Sequence, residues 1–378
     1  MPLFAPATVP ELMDWLASQR SHPQPFFPCG AQSKKHWGSL VSDDALWVST
    51  QHWQRVLDYA PTDLTVTVEA GLPLRVLQAL LAEQGQWWPV DPLFPDQATV
   101  GGIIATADTG SLRHRYGGVR DGVLGVHFVR ADGQLAKAGG KVVKNVAGYD
   151  LMKLLTGSWG TLAVLTQVTL RLYPLPSQRL TALWLGTAEQ VAALSAHVLN
   201  SVLTPLTVDG LSPALTDGER WGLQVDFQGL AASEQQQRLA VMAQALDLAL
   251  DLEAATPLEP DTTPWQEPGV LLKVGIPMAI GIPTLAQLVT DHPAARVQFH
   301  GGSGLGRCWL PEISAAQAQD WRSQLEQVGG FLTVLAAPDA LKQAVDVWGI
   351  PAASRALQAR VRQQFDPHNL LSPGRGPV

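Results

Sequence analysis

The sequence predicts an α+β fold in two main parts, and three observations carry that prediction. Between residues 90 and 173 glycine-rich turns alternate with apolar runs. A proline pair, Pro174 and Pro176, then closes the stretch, and beyond it strand-like and helix-like segments alternate up to a last helix at 354–365. At 378 residues the chain is long enough for two or three separately cored domains. The expected division is a first domain over 1–175, a second over 176–350, and a C-terminal helix and tail over 351–378 that pack back on the first.

In order, residues 8–20 place Leu12, Trp15 and Leu16 at helical spacing behind Thr8 and Pro10, which predicts a short first helix. The apolar run PFFPC then enters a small-residue turn at Gly30, Ala31, Gln32 and Ser33. Such a turn is either an ordinary strand-to-loop connection or an anion nest. Residues 46–49 and 64–68 read as short strands. In GLPLRVLQALLAEQG an apolar stripe of Leu74, Leu77, Leu80 and Leu81 lies between Pro73 and Gly85, a helix with its start and stop signals. Residues 125–131 read as a strand ending in the hairpin signal Asp132-Gly133. Tyr149 to Leu155 suggests a short helix, and the alternation of 162–172 a half-buried strand. In the second half, Thr187-Ala-Glu-Gln190 is a capping box before Val191, Leu194 and Val198. Strands are expected at 221–227, 295–299, 308–310 and 331–335, and helices from Ser233, near Ser314 and after Pro338. The final helix breaks at Asp366-Pro367. Strands alternating with helices in this way predict an α+β cap domain, an antiparallel sheet covered by helices.

Composition excludes several classes. The 26 basic and 33 acidic residues leave a net charge of −7, so the chain lacks the basic surface on which nucleic-acid binding rests. Two cysteines, Cys29 and Cys308, are too few for a disulfide framework or for a cysteine-ligated iron–sulfur or zinc site. The first residues show no basic segment followed by an apolar core. No uninterrupted apolar run approaches the roughly 20 residues of a membrane span; the stretch 270–283 comes closest and is broken by Lys273, Pro277 and Pro283. A cytoplasmic protein is expected, with docking on a membrane open only through partner subunits.

Glycine lacks a side chain, so backbone N–H groups can come close to a polar ligand, and alone the 90–173 pattern supports a phosphate-bearing ligand and no more. GGSGLGR at 301–307 is not a dinucleotide fingerprint, because Arg307 occupies the last glycine position. P-loop, nucleophile-elbow and HExxH patterns are absent. His300 follows an apolar strand and precedes a glycine-rich turn. It reads more readily as a histidine satisfied by backbone partners than as a lone ligand.

Six segments in the right order then carry a resemblance: PCGAQSK at 28–34, VEAGLPLRVLQALLAEQG at 68–85, DPLFPDQATVGGIIAT at 91–106, RYGGVRDGVLG at 115–125, GYDLMKLLTGSWGTLAVLTQVTLRLYP at 148–174 and FDPHNLLSPGR at 365–375. Together they resemble the FAD-binding proteins of the vanillyl-alcohol oxidase and p-cresol methylhydroxylase (PCMH) superfamily. Within it the chain is similar to the glycolate oxidase group, and KNVAGYDLMKL at 144–154 with a short chain fits its FAD-binding E-type subunits better than its longer, catalytic D-type ones. The resemblance implies a PCMH-type FAD-binding domain of two α+β subdomains followed by the cap. It also implies FAD as the cofactor. Gly30, Ala31, Gln32, Ser33 and Lys34 would cradle the pyrophosphate; Val100, Gly101, Gly102, Thr106 and Asp108 would continue that wall. Tyr116, Gly117 and Val119 would approach the flavin side, and Gly157, Trp159, Gly160 and Val164 would form the last wall.

One departure bears on catalysis. Active 2-hydroxy-acid dehydrogenases of this group carry Gly-His-x-Gly-Asp-Gly-Asn-x-His in the cap, with histidines that serve metal and substrate. Here the run is FHGGSGLGR, so His300 matches while Ser303, Leu305 and Arg307 replace Asp, Asn and His. Without the hard oxygen ligand and second imidazole no metal site is expected. The resemblance therefore implies an FAD-carrying subunit that oxidises glycolate to glyoxylate with an FAD-containing catalytic subunit and an iron–sulfur subunit. Alternatives are a self-sufficient dehydrogenase of a small 2-hydroxy acid such as D-lactate, with His300 and Arg307 the residues to test first, and a non-catalytic assembly subunit. No catalytic residue is assigned, and His36 and His52 are not taken as covalent flavin links.

Overall fold

A computed structural model describes residues 2–19, 23–141, 148–251 and 264–377. Residues 144–147 of the KNVAGYDLMKL segment lie outside them. The chain divides into two units: Met1–Thr109, Tyr116–Leu175 and Ile350–Val378 form the first, and Gly110–Arg115 with Pro176–Gly349 the second.

The first unit holds two main sheets. Leu46–Ser49 is the middle strand of a parallel three-stranded sheet, between Leu3–Phe4 and Phe26–Cys29. The other is an antiparallel five-stranded sheet in the order Val56–Ala60, Thr65–Glu69, Val164–Arg171, Val123–Val129, Leu135–Gly139. The hairpin at Asp132-Gly133 joins its last two strands, as the local turn chemistry predicts. The helix Leu74–Ala82 buries Leu74, Leu77 and Leu81, three members of the predicted stripe, in a core with Val66, Val68, Ile103, Phe128 and Val168. Each such side chain contributes about 1.5–3 kcal/mol by leaving water. A smaller core combines Leu12, Leu16, Phe26 and Val48 with Leu370 and Leu371 from the C-terminal tail. The tail is stitched to the parallel sheet by Phe26 N–H to Leu370 C=O (2.8 Å) and Ser372 N–H to Phe26 C=O (2.8 Å).

One helix in this unit departs from the glycine pattern. Gly101-Gly102 reads as turn, since glycine is a poor helix former. The pair instead lies in a helix, Val100–Thr106, capped by Thr99 Oγ1, which accepts from Gly102 N–H at 3.3 Å. Packing requires glycine at 101, where a Cβ would come 2.8 Å from Ala70 Cβ. Burial overrides propensity.

The second unit is built on one antiparallel eight-stranded sheet: Ala249–Asp251, Arg179–Gly186, Trp221–Gln228, Thr207–Leu211, Arg296–His300, Leu305–Leu310, Val270–Gly275, Phe331–Ala336. Helices Ala188–Leu199, Ala232–Gln244, Gly281–Leu288 and Ala315–Gln327 accompany it, and the first and last carry the capping boxes of Thr187 and Ser314. The apolar stretch 270–283 supplies the strand Val270–Gly275, whose Leu271, Leu272 and Val274 are buried, and the start of the helix Gly281–Leu288. No helix among the described residues is long and apolar enough to cross a membrane. Segment 110–115, expected inside the first domain, groups with this unit because Ser111 bonds to Asp209 and His300.

Candidate functional site

The first unit contains a cleft of about 810 Å³, counting space open to solvent. Its walls come from residues 28–35 behind the parallel sheet, from the helix Val100–Thr106 and the residues before it, from 158–165, and from Arg375. Four distant stretches meet because the two sheets and the stitched tail hold them there. Of the sequence-predicted site residues, Gly30, Ala31, Gln32, Ser33, Lys34, Gly101, Gly102, Thr106, Trp159, Gly160 and Val164 line it.

The walls differ in what they offer a ligand. Val100 N–H donates to Leu72 C=O (2.9 Å), Gly101 N–H to Ala70 C=O (2.7 Å), Gly157 N–H to Ile104 C=O (2.9 Å) and Trp159 N–H to Ala105 C=O (2.8 Å). These amides hold the walls to each other and supply shape, not donors. In the 30–34 loop, Lys35 N–H bonds to Gln32 C=O and Trp37 N–H to Lys34 C=O, while the amides of Ala31, Gln32, Ser33 and Lys34 donate to no acceptor among the described residues. Amides that the protein itself leaves unbonded, in a loop where Gln32 takes φ +59°, fit an anion such as a diphosphate. Gly30 has a second reason to be glycine: a Cβ there would collide with Thr99 Oγ1.

Lys34 supplies less charge than the sequence suggests. Its Nζ lies 3.0 Å from Asp108 Oδ2, with both side chains 6% exposed, and Asp108 Oδ2 also accepts from Leu93 N–H at 2.8 Å. Asp108 thus neutralises the lysine instead of lining the cleft. Other expected residues lie off the cleft for equally local reasons. Val100 and Val119 are buried in the core. Tyr116 meets Trp87 and Tyr173 edge-on, with ring centroids 5.6 and 4.8 Å apart. Gly117, at φ +82°, closes a turn over Asp121, whose carboxylate accepts from Gly118 N–H at 2.8 Å. Gly157, at φ +81°, bonds back to the 100–106 helix.

Among the wall residues that the sequence did not single out, Arg375 and Cys29 carry ionisable groups of note. Arg375 is 6% exposed, its guanidinium carbon lies 4.9 Å from the centre of the Trp47 ring, and it donates to Lys34 C=O at 3.0 Å. Removal from water pulls the guanidinium down to about 10, against a smaller opposing pull from Cys29. Cys29 also lines the cleft, and burial pushes its thiol up to about 11 against weaker bonds from Ser49 and Gln32. The signal for Arg375 was the SPGR ending, which points to the cleft only once the tail is folded.

A second cluster lies wholly within the second unit. Asp209 and His300 face each other on adjacent antiparallel strands, so the register itself creates their contact. Asp209 Oδ1 lies 2.8 Å and Ser111 Oγ 3.0 Å from His300 Nδ1; Gln298 Nε2 donates to Asp209 Oδ2 at 3.1 Å, and Ser111 Oγ donates to that same oxygen. His300 is 3% and Asp209 1% exposed. The partners of His300 are therefore side chains where backbone was expected. They hold Nδ1, and Nε2 is buried without a partner among the described residues. Because Ser111 shares Nδ1 with the carboxylate, this is not a hydrolytic triad, whose serine sits at the opposite nitrogen. Among the described residues no three His, Cys, Asp or Glu side chains gather to hold a metal ion.

Residues 2–139 match the model of a family described as an FAD binding domain. This part of the chain is an FAD binding domain. The cleft, with its loop of unbonded amides, belongs to it in part, its remaining walls coming from 158–165 and the C-terminal tail. The FAD binding domain and the relatives below indicate FAD as the cofactor, as the resemblance implied. Among curated proteins the chain is 29% identical to glycolate oxidase subunit GlcE of Escherichia coli (strain K12), over 92% of this chain and 91% of that one. It is 29% identical to glycolate oxidase subunit GlcD of Bacillus subtilis (strain 168), over 62% of this chain but only 51% of GlcD. D-2-hydroxyglutarate dehydrogenase of Xanthomonas citri pv. viticola is 26% identical over 92% and 83%. Among solved structures, alkyldihydroxyacetonephosphate synthase superposes with a TM-score of 0.69 at 14% identity, covering 98% of this chain and 75% of the other, which shows a shared fold.

Proposed function

We propose that this chain is the FAD-carrying subunit of a glycolate dehydrogenase complex, oxidising glycolate to glyoxylate and handing electrons to an FAD-containing catalytic subunit and an iron–sulfur subunit. The broader activity, FAD-linked oxidation of a 2-hydroxy acid, follows the relatives, which are glycolate oxidase subunits and a D-2-hydroxy-acid dehydrogenase. The observation that carries the subunit reading is the near end-to-end match to GlcE, set against a match to about half of GlcD. The cap run FHGGSGLGR, without the Asp, Asn and second His of the active enzymes, points the same way.

Bound FAD supplies the two-electron acceptor in this reaction. The chain's residues bind and orient it: the free amides of 31–34 take the diphosphate, and Gly102, Thr106, Trp159, Gly160 and Val164 shape the walls beside it. In this reading the protein is cytoplasmic, and any membrane contact is made through its partner subunits. A second reading, a self-sufficient dehydrogenase of a small 2-hydroxy acid, is favoured by the match to D-2-hydroxyglutarate dehydrogenase over 92% of this chain and 83% of that one, and by the His300 network.

Purified chain, alone and mixed with its partner subunits, separates the two. The subunit reading expects a yellow protein with stoichiometric flavin that fails to turn over glycolate or D-lactate with an artificial acceptor until the partners are added. Turnover by the isolated chain at the rate of the complex would establish the second reading instead, and a colourless protein that takes up no FAD would overturn both.

A further inference from the structure

We propose that Arg375 anchors the cofactor through the anionic diphosphate, making the C-terminal tail part of the dinucleotide site. The proposal rests on FAD occupying the cleft of the first unit. It does not depend on which hydroxy acid is oxidised.

Four observations carry it. Arg375 lines the cleft and is more than nine-tenths buried. Its Nε is buried with no hydrogen-bond partner among the described residues, and no carboxylate among them forms an ion pair with it. A buried, unbalanced cation is unfavourable unless an anion meets it. Lys34, the other strongly buried cation on the wall, already has Asp108. Arg375 is also held in place: its bond to Lys34 C=O ties it to the loop whose amides are free, and the Trp47 face supports its guanidinium. A planar fork held beside a loop of unbonded amides suits phosphate oxygens.

The tail is shaped to deliver it. Asp366 accepts from Leu370 N–H (2.9 Å) and Leu371 N–H (2.7 Å), and Arg362 donates to Leu371 C=O (2.7 Å), which bends the chain back at the end of the last helix. Asn369, Ser372 and Gly374 then all take positive φ (54°, 46° and 71°). Two of these are not glycine, a conformation that persists only where surrounding contacts impose it. Residues 341 positions apart thereby share one wall.

The test uses full-length protein stripped of flavin, with FAD and ADP as probes. Arg375→Gln is expected to weaken both by roughly 10- to 100-fold, the range of a lost charge-assisted hydrogen bond, while the thermal midpoint of the apoprotein stays close to wild type. Arg375→Lys, which keeps the charge and a stem over Trp47 but not the fork, should fall between. Alkylation of Cys29, read by mass spectrometry with the fully buried Cys308 as internal control, reports whether the cleft is filled. Failure of FAD to protect Cys29 in the wild type removes the cleft assignment, and the proposal with it. If FAD protects Cys29 and Arg375→Gln binds FAD as tightly as wild type, the cleft stands and Arg375 is not its anchor. A loss of affinity matched by an equal loss of apoprotein stability, or a Lys variant no better than Gln, would assign the residue to tail packing alone.

Discussion

Asp108→Asn probes how far the cleft of the first unit depends on one buried ion pair. The substitution is nearly isosteric, and Asn Oδ1 can still accept from Leu93 N–H, so it removes charge and little else. Lys34, 6% exposed, is then left without its counter-ion at 3.0 Å. At an effective dielectric constant of about 20 the lost attraction is roughly 5–6 kcal/mol. Part is regained because the carboxylate no longer has to leave water, and breaking a buried pair from one side costs about 3–5 kcal/mol. For a unit of roughly 150–250 residues this lowers the thermal midpoint by about 6–20 °C. The assay is thermal and urea unfolding of the apoprotein, repeated with saturating FAD. Saturating FAD should narrow the gap, since Lys34 lines the cleft where the diphosphate is expected. The double variant Lys34→Met, Asp108→Leu should recover most of the loss, as apolar replacements of buried pairs do. An apoprotein midpoint within about 2 °C of wild type, or a double variant no more stable than Asp108→Asn, would refute the view that this pair holds the wall.

Three further outcomes are expected. Leu223→Ala, at a fully buried position on a central strand of the eight-stranded sheet, should destabilise the protein by about 2–5 kcal/mol in urea unfolding; a loss under about 1 kcal/mol would mean the sheet collapses around the gap. Thr187→Ala removes the acceptor of Gln190 N–H and should cost about 1 kcal/mol, with Thr187→Ser restoring it. Because the folded Cys29 thiol titrates near 11 against an ordinary 9.0, alkylation of the apoprotein should have its midpoint near pH 11. The linked stability is fully present below pH 9 and is lost as pH rises from 9 to about 11, while Cys29→Ser removes that part of the alkaline loss; an alkylation midpoint at or below 9 would contradict the burial argument.

Local chemistry carried much of the fold. The capping residues Thr187 and Ser314, the Asp132-Gly133 hairpin and the leucine stripe of 74–81 depend on neighbours within a few positions, and such signals survive in a linear reading. The 30–34 loop was legible for the same reason: a small-residue turn after an apolar strand is a local pattern. Elements that need a distant partner were harder to read. The strand Thr207–Leu211 contains Gly210 and lies between Trp221–Gln228 and Arg296–His300, so its pairing, not its propensity, makes it a strand. The glycine pair at 101–102 looked like turn because propensity counts only the local backbone, whereas Ala70 close by requires glycine at 101.

By itself the sequence determined an α+β chain with a glycine-lined wall for a phosphate-bearing ligand, because periodicity and turn residues are properties of neighbouring positions; FAD entered through the resemblance that the six ordered segments carry. Only the tertiary structure decided which backbone amides remain available to a ligand, since that depends on what each wall bonds to across the fold. It also decided that Lys34 is neutralised by Asp108, that strand register seats His300 on Asp209, and that Arg375 arrives beside Lys34. Charge balance and hydrogen-bond satisfaction are sums over space, and residues hundreds of positions apart enter them on equal terms with neighbours.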